Sequence, residues 1–225
     1  MAYRKTEREL QRLQERRERI LDSACVLVQR EGFGGVKARE VAEAAGVSVG
    51  SLYSHFGNVE ALHAETFRVL AGREFGRVIA HVHTAGSATA ALAALVRGFG
   101  ARSLAAPRLA WALLLEPVTS TVEYLRLDFR RDYTALAAGI IQDGVDSREF
   151  TDQRVDVSAP ALIGAIAESL VRPLAPAADS GPGERDARAE QHEFIEEILR
   201  VSLRAVGAAT EREPRRNSPG RDGQK

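Results

Sequence analysis

Hydrophobic positions recur at helical spacing along most of this chain, and Val, Ile and aromatic residues nowhere alternate over a strand length. The pattern predicts an all-α protein. Residues 4–31 carry one long helical pattern. Its first half interleaves Arg4, Lys5, Arg8, Arg12, Arg16 and Arg17 with Glu7, Glu9, Glu15 and Glu18, and only Leu10 and Leu13 are apolar. Its second half lines up Ile20, Ala24, Leu27 and Val28 and stops at Gly32.

A short pattern follows in which Val41, Ala42 and Ala45 share one face. Gly46 suits the left-handed residue that ends a helix, and Val47 plugs the turn. Ser48 can cap the next helix by accepting an early backbone N–H. Leu52 and Phe56, four apart, point that helix at a core and leave Val49, Gly50, Ser51, Tyr53 and His55 facing outward. Two short helices joined by a tight turn are the helix-turn-helix arrangement, with the recognition helix at about 49–55.

Downstream, Asn58 caps a fourth helix to about His83 with the stripe Phe67, Leu70, Ala71, Phe75, Val78, Ile79 and Val82. That stripe is too long for a small domain alone, which predicts a lever joining two domains. Gly86 and Ser87 break it, and a helix over 88–105 follows, stopped by Pro107. A short apolar helix holds Leu109, Trp111, Leu113, Leu114 and Leu115 before Pro117. Ser120 to Glu123 reads as a capping box opening a helix to about Asp143, ended by Gly144. Residues 156–174 are apolar nearly all round, so this helix needs cover on both sides. Pro173 to Gly183 reads as a loop, and a last helix over 187–207 carries Phe194, Ile195, Ile198, Leu199, Leu203 and Val206. After Ala209 the composition turns to that of a disordered tail.

The run Ala45-Gly46-Val47-Ser48, then Leu52-Tyr53, Phe56 and Leu62, resembles the DNA-binding domain of the tetracycline-repressor (TetR) family. Arg19 to Ala24, leading to Glu31-Gly32-Phe33, fits the same pattern, so the detailed likeness covers roughly residues 16–65. The likeness implies a charged extension over 1–14, a three-helix DNA-binding domain over 15–65, a larger helical effector-binding and dimerisation domain over 66–208, and a tail over 209–225. It also implies a regulator, by family habit a repressor, that binds an inverted-repeat operator in double-stranded DNA as a homodimer. The helices over 156–174 and 187–207 would form the dimer contact, and a small-molecule effector would release the DNA. A helical protein-interaction module without sequence-specific DNA binding is the alternative.

Net charge is zero over 225 residues, so phosphate attraction must be local. Residues 1–19 hold 7 basic and 4 acidic residues, whereas residues 63–211 hold 16 and 20. The N-terminal half-helix reads either as a solvated extension with i, i+4 ion pairs or as a basic arm on the DNA backbone or minor groove. No apolar run reaches about 18 residues and the first residues are highly charged, so neither a membrane span nor a signal segment is expected. The single cysteine, Cys25, sits between Ala24 and Val26 and reads as a buried thiol, with redox sensing as the other reading. Together these features predict a cytoplasmic protein.

By the resemblance, Lys37 and Arg39 open the first motif helix, and Arg39 could grip guanine bidentately. Ser48 begins the recognition helix, Val49 could touch a thymine methyl, and Gly50 would let the helix approach the backbone closely. Ser51, Tyr53 and His55 offer donors to phosphates; Tyr53 could instead be half-buried with only its hydroxyl exposed. Three positions depart from the family's habit. Lys37 replaces a capping Ser or Thr, Val59 stands where a Lys commonly does, and position 49 is apolar.

In the larger domain Phe75, Phe99, Trp111, Leu115, Tyr124, Phe129 and Tyr133 are candidate pocket residues, though aromatics at helical spacing also simply pack. Arg130 and Glu168 interrupt apolar stretches and could anchor an acid, amide or amine; a surface salt bridge is the other reading. So few polar anchors favour a hydrophobic or amphipathic effector. The five His are scattered, His81 and His83 cannot share a helix face, and no phosphate loop or nucleophile motif occurs. Neither an enzyme, a cofactor nor a metal is expected.

Overall fold

A computed structural model describes residues 7–175 and 184–208. Every regular element among them is helical: α1 (Glu7–Glu31), α2 (Ala38–Ala44), α3 (Val49–Phe56), α4 (Val59–Val82), α5 (Ala88–Ala105), α6 (Pro107–Leu114), α7 (Ser120–Asp146), α8 (Val155–Leu174) and α9 (Glu184–Ala205). The expected tail after residue 209, residues 1–6 and most of the loop before α9 lie outside the described residues.

Local chemistry explains most of the breaks. Gly46 takes φ 65°, the Gly46 N–H reaches Glu43 O at 3.1 Å and the Val47 N–H reaches Ala42 O at 2.9 Å. That pair of bonds closes α2 as a Schellman turn. Ser48, Asn58 and Ser87 cap α3, α4 and α5 through the N–H groups of Ser51, Ala61 and Ala90. Lys37 lacks an acceptor to cap α2, but Glu40 reaches back to the Lys37 N–H at 3.2 Å, recovering half of a capping box. Pro107 opens α6 at a position where no N–H is needed.

Four sequence expectations change. Ser120 lies inside α7, whose cap residue is Thr119 without a side-chain bond, and Glu123 pairs with Arg126 instead of reaching back. Gly144 does not end α7: the helix runs on to Asp146, and Gly144 is there because a Cβ would overlap the Phe150 ring. Pro173 falls in the last turn of α8 instead of opening a loop. Finally, α8 is by length and composition apolar enough to cross a membrane, contrary to the expectation of no such stretch. It nonetheless carries Asp156, Glu168 and Arg172 and buries Ala159, Leu162, Ile166, Leu170 and Leu174 in the fold.

The packing divides into two main cores and a small third. The first joins α1–α3 (Ile20, Val28, Val41, Leu52, Phe56) to the first half of α4 (Leu62, Phe67, Leu70) and continues into Leu109, Leu113 and Val122 of α6 and α7. The second gathers Val78 and Val82 of α4 with α5, α7, α8 and α9. The third packs Ala110 of α6 against Leu170 and Leu174 of α8. With 24 residues, α4 is about 36 Å long and buries one half in each main core, so it does link them. Within the first core Arg17 ties three helices together: it pairs from α1 with Glu65 of α4 and lies 4.9 Å over the Phe56 ring of α3.

Candidate DNA interface and effector cavity

The helix-turn-helix presents a mixed surface. Lys37 and Arg39 are exposed at the start of α2, and Arg39 enters no ion pair among the described residues. Ser48 is exposed, but its oxygen is committed to the cap. Gly50 is exposed, and a Cβ there would meet only Ser48 Oγ, at 3.9 Å. Tyr53 is 43% exposed, so its ring as well as its hydroxyl is available. Ser51 and His55 are half-buried. Val49 is turned further in than expected: it is half-buried and packs on the first core. The reason is geometric, since an eight-residue helix carrying Leu52 and Phe56 inward brings its first residue to the edge of that face. Ser54, which the pattern did not single out, is exposed beside Tyr53, with its hydroxyl donating to Gly50 O at 2.8 Å.

The candidate effector residues fall into three groups. An inner cavity of about 80 Å³, almost wholly apolar, opens between α4, α5, α6 and α7, and an outer one of about 370 Å³ opens between α5, α6, α7 and α8. Phe99, Leu114, Arg130 and Tyr133 border both. Phe129 lines the inner cavity, and Leu115 and Glu168 the outer. Phe75 and Trp111 stand behind these walls. The Phe75 ring packs edge-on to Tyr133 at 4.8 Å, and Trp111 packs on the third core. Tyr124 is not brought in: at 70% exposure it lies on the solvent face of α7, because the inward positions of that turn belong to Val122 and Arg126.

Charge is placed unevenly around the cavities. Glu74 and Arg102 pair at 2.6 Å beside the inner one. Arg130 and Glu168 enter no ion pair among the described residues, although both border the outer one. Burial pushes the Tyr133 phenol well above its ordinary range, so it stays neutral.

Sequence reading missed a polar joint between the two halves. Glu116, buried just after α6, accepts the N–H groups of Phe33 at 3.1 Å and Gly34 at 2.9 Å. Arg108 donates to Glu31 O and lies 3.9 Å from Glu116. His63 Nε2 makes a hydrogen bond with Val36 O at 3.0 Å, and its ring packs edge-on to Phe33 at 5.6 Å. Burial lowers the His63 pKa, against the raising influence of the Val36 bond, Glu116 and Glu60. Arg126, 7% exposed, donates to the carbonyls of Leu113 and Glu116, at 2.9 and 2.8 Å. One signal was available: Arg126 sits between Val122 and Phe129, at spacings of four and three that place it on the apolar face.

An exposed helix-turn-helix carried on an all-α body with an apolar cavity open to one side agrees, together with the relatives below, with one class: a DNA-binding transcriptional regulator. Residues 20–66 match the model of the bacterial regulatory proteins, tetR family. It is 29% identical over 139 residues to the HTH-type transcriptional repressor KstR2 of Rhodococcus jostii, covering 60% of this chain and 68% of that one. It is 41% identical over 64 residues to the repressor KstR of Mycolicibacterium smegmatis, a match spanning 28% of this chain and 29% of that one. In fold it resembles the transcriptional regulator FadR of Bacillus subtilis, crystallised with stearoyl-CoA, with a TM-score of 0.67 and 18% identity, over 84% of this chain and 98% of that one. These relatives are transcriptional regulators, not enzymes.

Proposed function

We propose that this protein is a cytoplasmic repressor that binds an inverted-repeat operator as a homodimer and leaves it when a hydrophobic or amphipathic small molecule enters the cavities. The observation that carries the effector half is the pair of adjoining cavities, apolar inside and bordered by an unpaired Arg130 and Glu168 outside. Apolar volume with few polar groups selects a ligand with a hydrophobic body and one or two polar ends. The stearoyl-CoA of FadR makes a fatty acyl thioester a sensible first ligand to try.

Lys37, Arg39, Gly50, Ser51 and Tyr53 are the proposed DNA contacts, with Arg39 reading a base and the others fixing register on phosphates. Ser48 acts through the cap, and Val49 and His55 serve at the rim. A single recognition helix of eight residues contacts too few bases, which supports a two-fold dimer reading two half-sites. For the dimer, α8 offers an exposed strip of Val157, Ala161, Gly164 and Ala165 whose small side chains let a second copy approach closely. The outer face of α9 is more polar than expected, with Glu197, Arg200 and Arg204 around a 45% exposed Val201. Its apolar stripe is spent inside the protomer, so α8 carries the apolar part of this interface.

The test is selection of DNA fragments from the source genome by the purified protein at moderate salt. Enrichment of one inverted repeat, lost on adding an acyl-CoA, is the expected result. Recovery of sequence-independent fragments alone would sink the operator reading.

A further inference from the structure

The turn between α1 and α2 is held from outside the DNA-binding domain. Residues 31–35 read Glu-Gly-Phe-Gly-Gly, and their glycines are used for close approach. Gly32 takes φ 77°, and a Cβ there would overlap the Glu116 carboxylate. A Cβ on Gly34 would lie 3.2 Å from Glu116 Oε1, and one on Gly35 would lie 2.8 Å from the Glu31 Cβ. The stripped backbone forms a cradle of N–H groups, and the Glu116 carboxylate fills it. Hydrogen bonds to a charged acceptor are shorter and stronger than neutral ones. Lys37 and Arg39 follow directly after this turn, so its position sets theirs.

The other end of the same residue reaches the cavity wall. Glu116 follows the last turn of α6, and Arg126 donates to the Glu116 carbonyl as well as to those of Ala112 and Leu113. The carbonyls of Ala112 and Leu113 lie at the C-terminus of α6, where a cation is favoured. Arg126 itself lines the inner cavity, together with Leu109, Ala110 and Leu113 of α6. Any occupant that displaces α6 must therefore carry Glu116 with it or strip the carboxylate from the turn.

We propose that Glu116 is the positioning residue that couples occupancy of the inner cavity to the placement of the α1–α2 turn, and through it of the DNA-contacting side chains. The proposal rests on the cavity being the effector site. A second route exists in the structure: Phe33 packs on Phe67 at 6.2 Å, and Phe67 on Phe129 at 5.7 Å, a line of rings from the turn to the cavity. The two routes make different predictions.

The experiment is amide hydrogen exchange at Phe33 and Gly34 in the full chain, paired with affinity for the selected operator. Ala110→Leu, or the milder Ser103→Val should the first not fold, stands in for an occupant of the cavity. Glu116→Ala should speed exchange of both amides by about tenfold or more, and Glu116→Gln by less, because one acceptor oxygen remains. Ala110→Leu should change the exchange of the same amides and the operator affinity with Glu116 present, and neither with Ala at 116. Unchanged amides in Glu116→Ala, or a cavity-filling effect of equal size in both backgrounds, would overturn the proposal; the latter would assign coupling to the rings. The effector-site reading fails in another way: cavity-filling changes that leave operator affinity untouched while Glu116 is in place. The coupling then falls with it.

Discussion

Tyr133 stands edge-on to Phe99, with ring centroids 5.2 Å apart and planes at 81°, and the two stand with Leu114 and Arg130 in the partition between the inner and outer cavities. Tyr133→Phe keeps the partition and should cost under about 1 kcal/mol, whereas Tyr133→Ala merges the cavities and should cost about 3 kcal/mol. Urea denaturation reads both. The larger space in Tyr133→Ala should also admit bulkier acyl-CoA ligands, measured by displacement of a fluorescent fatty acid.

Gly50 separates stability from DNA affinity. It lies in a regular helix with room for a methyl group, so Gly50→Ala should raise stability by about 0.5–1 kcal/mol. If α3 seats that residue against the phosphate backbone, the same change should weaken operator binding about tenfold, roughly 1.4 kcal/mol. Thermal melting and fluorescence anisotropy on one preparation check the pair of opposite signs.

His63 should make the joint acid-sensitive. Its folded pKa lies below the ordinary 6.5, mainly through burial, so the folded state resists the proton that the unfolded state accepts. Stability is then fully present above pH 6.5 and declines as pH falls from 6.5 towards the lower folded value. His63→Gln should flatten the stability profile below pH 6.5, measured by denaturant midpoints.

Glu149 acts in the opposite chemical sense with a similar outcome. Hydrogen bonds from Thr89 and Ala88 hold its carboxyl at about 2, and it closes the N-terminus of α5. Its contribution is present above the unfolded value of about 4.5 and lost as pH falls through about 2. Because the group is partly solvated, Glu149→Gln should cost only about 1 kcal/mol at neutral pH. The melting temperature of this variant should fall less steeply than the wild type between pH 4.5 and 2.

Gly164 tests the α8 contact. A Cβ there meets nothing within the protomer, so Gly164→Arg should leave the fold intact. Set into the strip of small residues, the new charge should block a second copy, and sedimentation should report a monomer that binds the operator at least tenfold more weakly. A stable Gly164→Arg dimer would place the interface elsewhere.

Much of this protein was legible along the chain, because the signals involved are local. Ser48, Asn58 and Ser87 marked helix starts, Gly46 marked the turn, and Leu52 with Phe56 fixed which way α3 faces. These rules act within four or five residues, so neighbouring letters are sufficient. The failures also have local causes. Ser120 and Glu123 satisfied a capping pattern, but Arg126 took Glu123 first. Tyr124 was an aromatic in the right stretch, one position away from the buried face.

The site divides along the same line. The helix-turn-helix and its likeness to the tetR family model were legible in the sequence alone, since the motif is contiguous and its caps and core positions are short-range. Tertiary structure decided which aromatics meet around a cavity, that the first core runs from α1 through α4 into α6 and α7, and that Glu116 fills a turn more than eighty residues before it. Those relationships depend on how long helices cross, and a helix pattern states which face is apolar without stating which other helix will cover it.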